Sequence, residues 1–319
     1  MKKSKLKIAG MMLVMLLGGY SNASAQNFDL NGDGAVNVAD MSALISYMAG
    51  NKESSQFAFR KQTDAKRIGE SAGTAVDLGL PSGRKWANKN VGYSKDSDYG
   101  TYFSWGGVVA VTAKGTNYVL EAGKLSDDTE TAFIWKNYEW ISAGGTTWKD
   151  VCKYTVQDGA EGTWWYEYGS TFCGDEKEVL EAADDAATFH WGGKWRMPYT
   201  HEIKELLEYT TQTWKEGKMD GGSKNVWGCE FKGPNGKTIF LPAAGSAEYK
   251  YVEYRDGQYK FPRGKYWGKE HDGHFGHQPT SSATILSINR KVCCEDEADA
   301  LVSFYERQYG LSIRPVLGD

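Results

Sequence analysis

The chain has 319 residues and a net charge of −4, from 37 lysines and arginines against 41 aspartates and glutamates. An acidic balance disfavours a nucleic-acid partner, which recognises a basic surface. With 40% hydrophobic residues the chain is long enough for one sizeable domain beside a small module.

At the start, Lys2, Lys3, Lys5 and Lys7 precede an apolar run from Ile8 to about Leu17 and then Ala23-Ser24-Ala25. This is the three-part layout of a secretory signal peptide, residues 1–25. Its removal takes away four lysines and no acids, which moves the net charge from −4 to −8. The apolar run is shorter than the roughly 20 residues a spanning helix needs, and no other stretch is long and apolar enough. Secretion or periplasmic release is expected, with no membrane span in the mature chain. All five cysteines (Cys152, Cys173, Cys229, Cys293 and Cys294) lie beyond the leader, an odd count that leaves at least one outside any intrachain pairing.

Residues 26–50 follow as a small module. From Asp29 to Asp40, oxygen-bearing side chains recur at loop positions 1, 3, 5, 9 and 12: Asp29, Asn31, Asp33, Asn37 and Asp40. Gly34 stands at position 6, where the chain must turn sharply, and Ala35 offers its carbonyl at position 7. Ca2+ is the hard cation that such oxygens suit. Val38, Met41, Leu44, Ile45 and Met48 then recur at helical spacing, Asn37 stands where an N-cap would, and Gly50 can end the helix. An EF-hand normally has a Glu at position 12 and a helix before the loop; here Asp40 replaces the Glu, and three residues separate the loop from the cleavage point. The pattern resembles one calcium repeat of a type I dockerin, and that resemblance implies a cohesin-like protein as partner. Dockerins usually carry two such repeats, whereas this chain has one.

Residues 51–73 are polar and lack a sustained apolar period, as a linker does. The main domain, 74–319, is rich in Trp, Tyr and Gly, with short apolar runs cut by turns such as Pro81-Ser82-Gly83, Pro234-Asn235-Gly236 and Asp256-Gly257. It reads as β-heavy and loop-rich. The clearest helix runs from Tyr199 to about Tyr209 on an Ile203, Leu206 and Leu207 stripe, and a second is expected over Glu176–Ala187.

Several motifs occur in one order through this domain: Val76-Asp77-Leu78-Gly79-Leu80-Pro81-Ser82-Gly83, Trp86-Ala87, Phe103-Ser104-Trp105-Gly106, Trp195-Arg196-Met197-Pro198, Leu241-Pro242-Ala243-Ala244-Gly245, Tyr266-Trp267 and Leu311-Ser312-Ile313-Arg314-Pro315. Together they resemble the paralogous domain abundant in secreted proteins of Fibrobacter and Bacteroidetes. That family is similar to the C-type-lectin-like fold and, distantly, to formylglycine-generating enzymes. The resemblance implies an α+β domain of short twisted strands, about two helices and long loops. It supplies no activity, because such a fold hosts many functions. Trp86, Trp105 and Trp195 within these motifs, and Trp191 of a further motif, Trp191-Gly192, are the expected core tryptophans. Arg196 is expected to be tied near Arg314 or its strand.

No catalytic constellation is apparent: a nucleophile elbow, a His-Glu-x-x-His and a phosphate-binding glycine loop are all missing from the sequence. His271, His274 and His277 share seven residues with Asp272, but their spacing matches no known zinc arrangement and the glycines between them read as a solvated loop. Gln278-Pro279-Thr280 resembles the sugar-binding tripeptide of calcium-dependent lectins except at its third residue. Cys293-Cys294 is adjacent, followed by three acids, unlike the separated copper-binding cysteines of formylglycine-generating enzymes. The ligand-binding candidates are Trp164, Trp165, Tyr254, Arg255 and Asp256, aromatic and charged residues outside the family motifs that suit stacking on a glycan. The expected function is that of an exported, non-enzymatic calcium-binding protein that recognises a carbohydrate or a protein; a formylglycine-generating-type enzyme and a purely structural envelope component are the alternatives.

Three carboxylates without a second loop to stiffen them set a modest calcium affinity, roughly micromolar to millimolar. Calorimetry should show one calcium bound by the protein and lost in the Asp29→Ala, Asp33→Ala double variant. An unchanged binding heat in that variant would refute the loop.

Overall fold

In the computed structural model the described residues are 67–93, 99–114, 119–122, 133–141, 145–156, 175–219, 224–248, 251–255, 262–271, 281–291 and 297–318. The loop expected to bind calcium, with Asp29, Asn31, Asp33, Ala35, Asn37 and Asp40, most of the expected spacer, and Trp164, Trp165, Asp256, His274, His277, Cys173, Cys293 and Cys294 lie outside them. The described part is mostly β-sheet with two α-helices.

Short strands follow from the spacing of the turns. Leu80 to Gly83 closes a tight turn, Gly83 N donating to Leu80 O at 2.8 Å, and so pairs β1 (Ala75–Asp77) with β2 (Lys85–Ala87). The turn around Pro234-Asn235-Gly236 likewise joins β7 (Val226–Lys232) to β8 (Thr238–Pro242), and β6 (Thr211–Gly217) flanks β7. The longest strands form a third sheet, β11 (Arg263–His271), β12 (Ser282–Arg290) and β13 (Ala298–Glu306), in that order and antiparallel. A fourth sheet is ordered β3 (Val111–Lys114), β4 (Val119–Ala122), β10 (Tyr251–Glu253) and β9 (Ser246–Glu248).

Residues 310–317 stitch these sheets together. Gly310 exchanges two backbone bonds with Ala247, and Leu311 exchanges two with Phe103. Ser312 accepts from Trp267, Ile313 from Val91 and Pro315 from Ala87, all at 2.9–3.1 Å. The chain then ends its path as β14 (Val316–Leu317), laid between β2 and β5 (Trp195–Arg196). Period-2 alternation makes the third sheet serve two cores: Trp267, Ile285 and Ala283 face one with Trp105, Trp140 and Phe103, while Tyr266, Leu286 and Ile288 face another with Trp86, Trp214 and Phe231.

The helices explain the Trp195-Arg196-Met197-Pro198 motif. Helix α2 (Thr200–Tyr209) begins two residues after Pro198, and Ile203 and Leu206 bury its apolar stripe with Leu207 beside them. Glu202 bonds back to the Tyr199 amide at 2.9 Å, satisfying an amide at the helix start. Arg196 grips the same carboxylate with two bonds of 2.7 Å, and Arg84 approaches it from the first sheet. Burial by itself would raise the pKa of Glu202, but the bonds from Arg196 and the Tyr199 amide, with the charges of Arg196 and Arg84, hold it below the usual carboxylate range. Arg196 thus stands on the strand beside Val316, as the motif suggested, while its side chain serves the helix and not Arg314.

The helix expected over Glu176–Ala187 is corrected by the structure. Helix α1 is Ala186–Trp191, because Asp185 accepts from the amides of Ala187 and Thr188 and sets the start there. The residues before it run extended, Val179 bridging to Glu270 and Leu180 N bonding to Lys269 O. Trp86, Trp105 and Trp195 are buried; Trp191 is only half-buried, its indole N–H donating to Glu70 at 2.8 Å.

Residues 67–70, in the stretch read as spacer, are strapped to α1. His190 accepts from Ile68 N through Nδ1 at 3.0 Å and contacts Val108 O through Nε2 at 2.8 Å. Since a carbonyl only accepts, the proton resides on Nε2 and Nδ1 must stay bare. Burial lowers the pKa of His190 from 6.5 to about 4, outweighing the Val108 bond, which favours the charged ring. A base that gains its proton more readily unfolded makes folding stability fall as pH drops from about 6.5 toward 4. Thermal melting between pH 6.5 and 5, above the carboxylate range, should show a decline of up to about 1.4 kcal/mol per pH unit from this residue. His190→Gln keeps a donor and an acceptor and should flatten that slope; an unaltered slope would exclude His190 as its source.

Candidate functional site

Two of the ligand candidates, Tyr254 and Arg255, are among the described residues, and both directly follow β10, beside the start of β11. Gly245 makes that approach feasible. It adopts φ +72°, and a Cβ there would stand 2.1 Å from Glu253 O and 2.8 Å from Arg255 N. Tyr254 itself has φ +57°, a left-handed conformation uncommon outside glycine, and its carbonyl accepts from Arg263 N at 2.8 Å. The turn therefore presents the Tyr254 ring to one face of β11.

That face carries Arg263 and Lys265, two residues apart on the strand, opposite Asn289 and Ser287 of β12, which in turn face Asp299 and Leu301 of β13. The Arg263 guanidinium lies over the Tyr254 ring at 4.8 Å, and the Lys265 ammonium lies 5.7 Å from the same ring. Arg255 covers Tyr99 at 3.9 Å. Lys265 also sits 3.5 Å over Tyr305, bonds Ser246 Oγ at 3.3 Å and stands 3.9 Å from Glu248. Ser246 Oγ donates to Glu248 at 2.8 Å, and Tyr305 donates to the same carboxylate.

The charges here are unevenly matched. Lys265 is 8% exposed, and burial lowers its pKa from 10.5 to about 8, with Glu248 opposing and the neighbouring Arg263 adding to the fall. Tyr305 is pushed well above its ordinary value, first by burial and then by its bond to Glu248. Asn289 Oδ1 is buried without a donor among the described residues. Leu301, 39% exposed, adds an apolar surface on the same face. Aromatic rings, an exposed cation and an apolar patch on rigid strands form a surface able to hold a polar ligand.

His271, read as the start of a solvated loop, is corrected: it ends β11, is buried, and meets Trp105 edge-on at 6.3 Å, its amide bonded to Glu178 O. Strand pairing with β12 and the bridge at Val179 pull it into the core. No group of three or more potential metal-ligating side chains occurs among the described residues, and none of their helices is long and apolar enough to cross a membrane. Lys265, Tyr305 and Asn289 were not apparent as site residues in the sequence, since they lie far apart along the chain; the Arg-Gly-Lys at 263–265 was the one local signal.

No protein-family model, curated protein or solved structure matches this chain.

Gly245→Ala should strain the backbone and displace the Tyr254–Arg255 turn, with a loss of about 1–3 kcal/mol. Chemical denaturation of that variant checks this, and unchanged stability would mean the turn has room that its geometry denies.

Proposed function

We propose that the chain is an exported, non-enzymatic recognition protein: a single dockerin-like calcium repeat at residues 29–40, tethered to a C-type-lectin-like domain that binds a carbohydrate. The observation that supports this reading most is the juxtaposition of Tyr254, Arg263, Lys265 and Asn289 on one sheet face. Such a face offers a ring for stacking and cationic donors for sugar oxygens. Its pieces come from a turn and two strands, so the ligand meets a scaffold already ordered before binding. Trp164, Trp165 and Asp256, outside the described residues, stay candidates on the sequence alone. The calcium repeat would then serve attachment, to a cohesin-like partner or a surface assembly.

Enzymatic chemistry of the formylglycine-generating type needs two thiolates converging on one ion. Cys229 belongs to the second core, where burial pushes its thiol far up, and Cys152 is buried next to Val151 of the first. Neither position favours a thiolate pair.

A glycan array probed with the full chain, with and without a calcium chelator, tests the proposal. Retention of defined glycans that survives chelation assigns recognition to the strand face and leaves calcium to the repeat. Retention abolished by chelator moves the sugar site to a calcium centre. Binding to no glycan overturns the carbohydrate reading in favour of a protein partner.

A further inference from the structure

The strand face has a charge arrangement that selects among sugars. Arg263 and Lys265 converge on a single ring, that of Tyr254, although their charges repel. Lys265 is partly offset by Glu248 from β9, yet Glu248 is itself engaged by Ser246 and by Tyr305 of β13. Arg263 is exposed, and among the described residues no carboxylate lies within ion-pairing distance of it. Asp299, the acid on its row, stands two strands away across Asn289, about 10 Å at ordinary strand spacing. An anion seated on Arg263 would relieve the repulsion between the two cations.

We infer that the face binds an acidic sugar, one that bears a carboxylate or a sulfate ester: the anionic group on Arg263, with Lys265 adding charge and the Tyr254 ring alongside. This rests on the carbohydrate reading and narrows it. Arg263 makes the direct contact because its guanidinium is exposed and its planar fork suits two oxygens of one oxyanion. Lys265, nearly buried, acts through its field, and an anion nearby restores the ammonium that burial disfavours.

Titration calorimetry of the full chain against polygalacturonate, a sulfated galactan and neutral galactan tests the assignment. Binding to one or both acidic polymers, weakened by salt and absent with the neutral one, is the expected result, and the preferred polymer identifies the anion. Arg263→Gln should lower the affinity about tenfold or more, the scale of one lost charge-assisted contact. At pH 8.5, above the pKa of Lys265, binding should be accompanied by proton uptake, seen as a dependence of the heat on buffer ionisation, and Lys265→Met should abolish that uptake. Equal binding to neutral galactan, with Arg263→Gln unchanged, would overturn the anion while the carbohydrate reading stands. Binding to none of the three, joined with an empty glycan array, would remove both.

Discussion

A guanidinium buried among neutral groups holds this domain in register. Arg314 is 1% exposed, and its donors are spread over Asn90 Oδ1 at 2.8 Å, Ala87 O at 3.1 Å, Phe240 O at 2.9 Å and Met219 Sδ at 3.2 Å. These acceptors come from the end of β2, the segment after it, β8 and the residues following β6. Burial lowers its pKa to about 10, so it remains a cation at neutral pH and must be solvated by the protein itself. Only one chain arrangement brings three oxygens to the fan of one arginine, which is why so many elements meet at the final segment. Losing any acceptor leaves a buried charge short of partners, a larger penalty than the loss of an ordinary hydrogen bond.

The same residue organises the candidate site. Asn90, which accepts from Arg314, donates through its amide to Tyr99 O at 2.8 Å, and Tyr99 is the ring under Arg255. Phe240, whose carbonyl also meets Arg314, precedes the turn through Gly245 by a few residues. Through Tyr99 the Arg255 side of the turn is thereby connected to the buried cation.

A second buried arginine repeats the device on the other side. Arg307 bonds the Tyr138 hydroxyl at 3.0 Å and the carbonyls of Lys153 and Tyr154 at 2.9 and 2.8 Å, with its guanidinium 4.5 Å over Trp105. Nearby, Asp184 takes bonds from Lys153 at 2.9 Å and from the Tyr154 hydroxyl at 2.5 Å. Polar groups inside the cores are thus paired into networks, and the tryptophans fill the space around them. Among the described residues most of the large aromatic side chains serve packing.

From the sequence alone, composition and turn spacing determine a β-rich domain with α2, the motif tryptophans of its cores and the place of the Trp195-Arg196-Met197-Pro198 motif before that helix, because these depend on local periodicity and on residues close in the chain. The calcium pattern of residues 29–40 is also local. Where side chains act across long separations the sequence was silent: the start of α1 depended on which amides Asp185 captured, and His271 was buried by strand pairing that its glycine-rich neighbours concealed. Of the site, Tyr254 and Arg255 were legible as aromatic and charged neighbours in a variable segment. Lys265, Asn289 and Tyr305 were not, because strand register and the left-handed turn at Tyr254, properties of the assembled fold, bring them to one face.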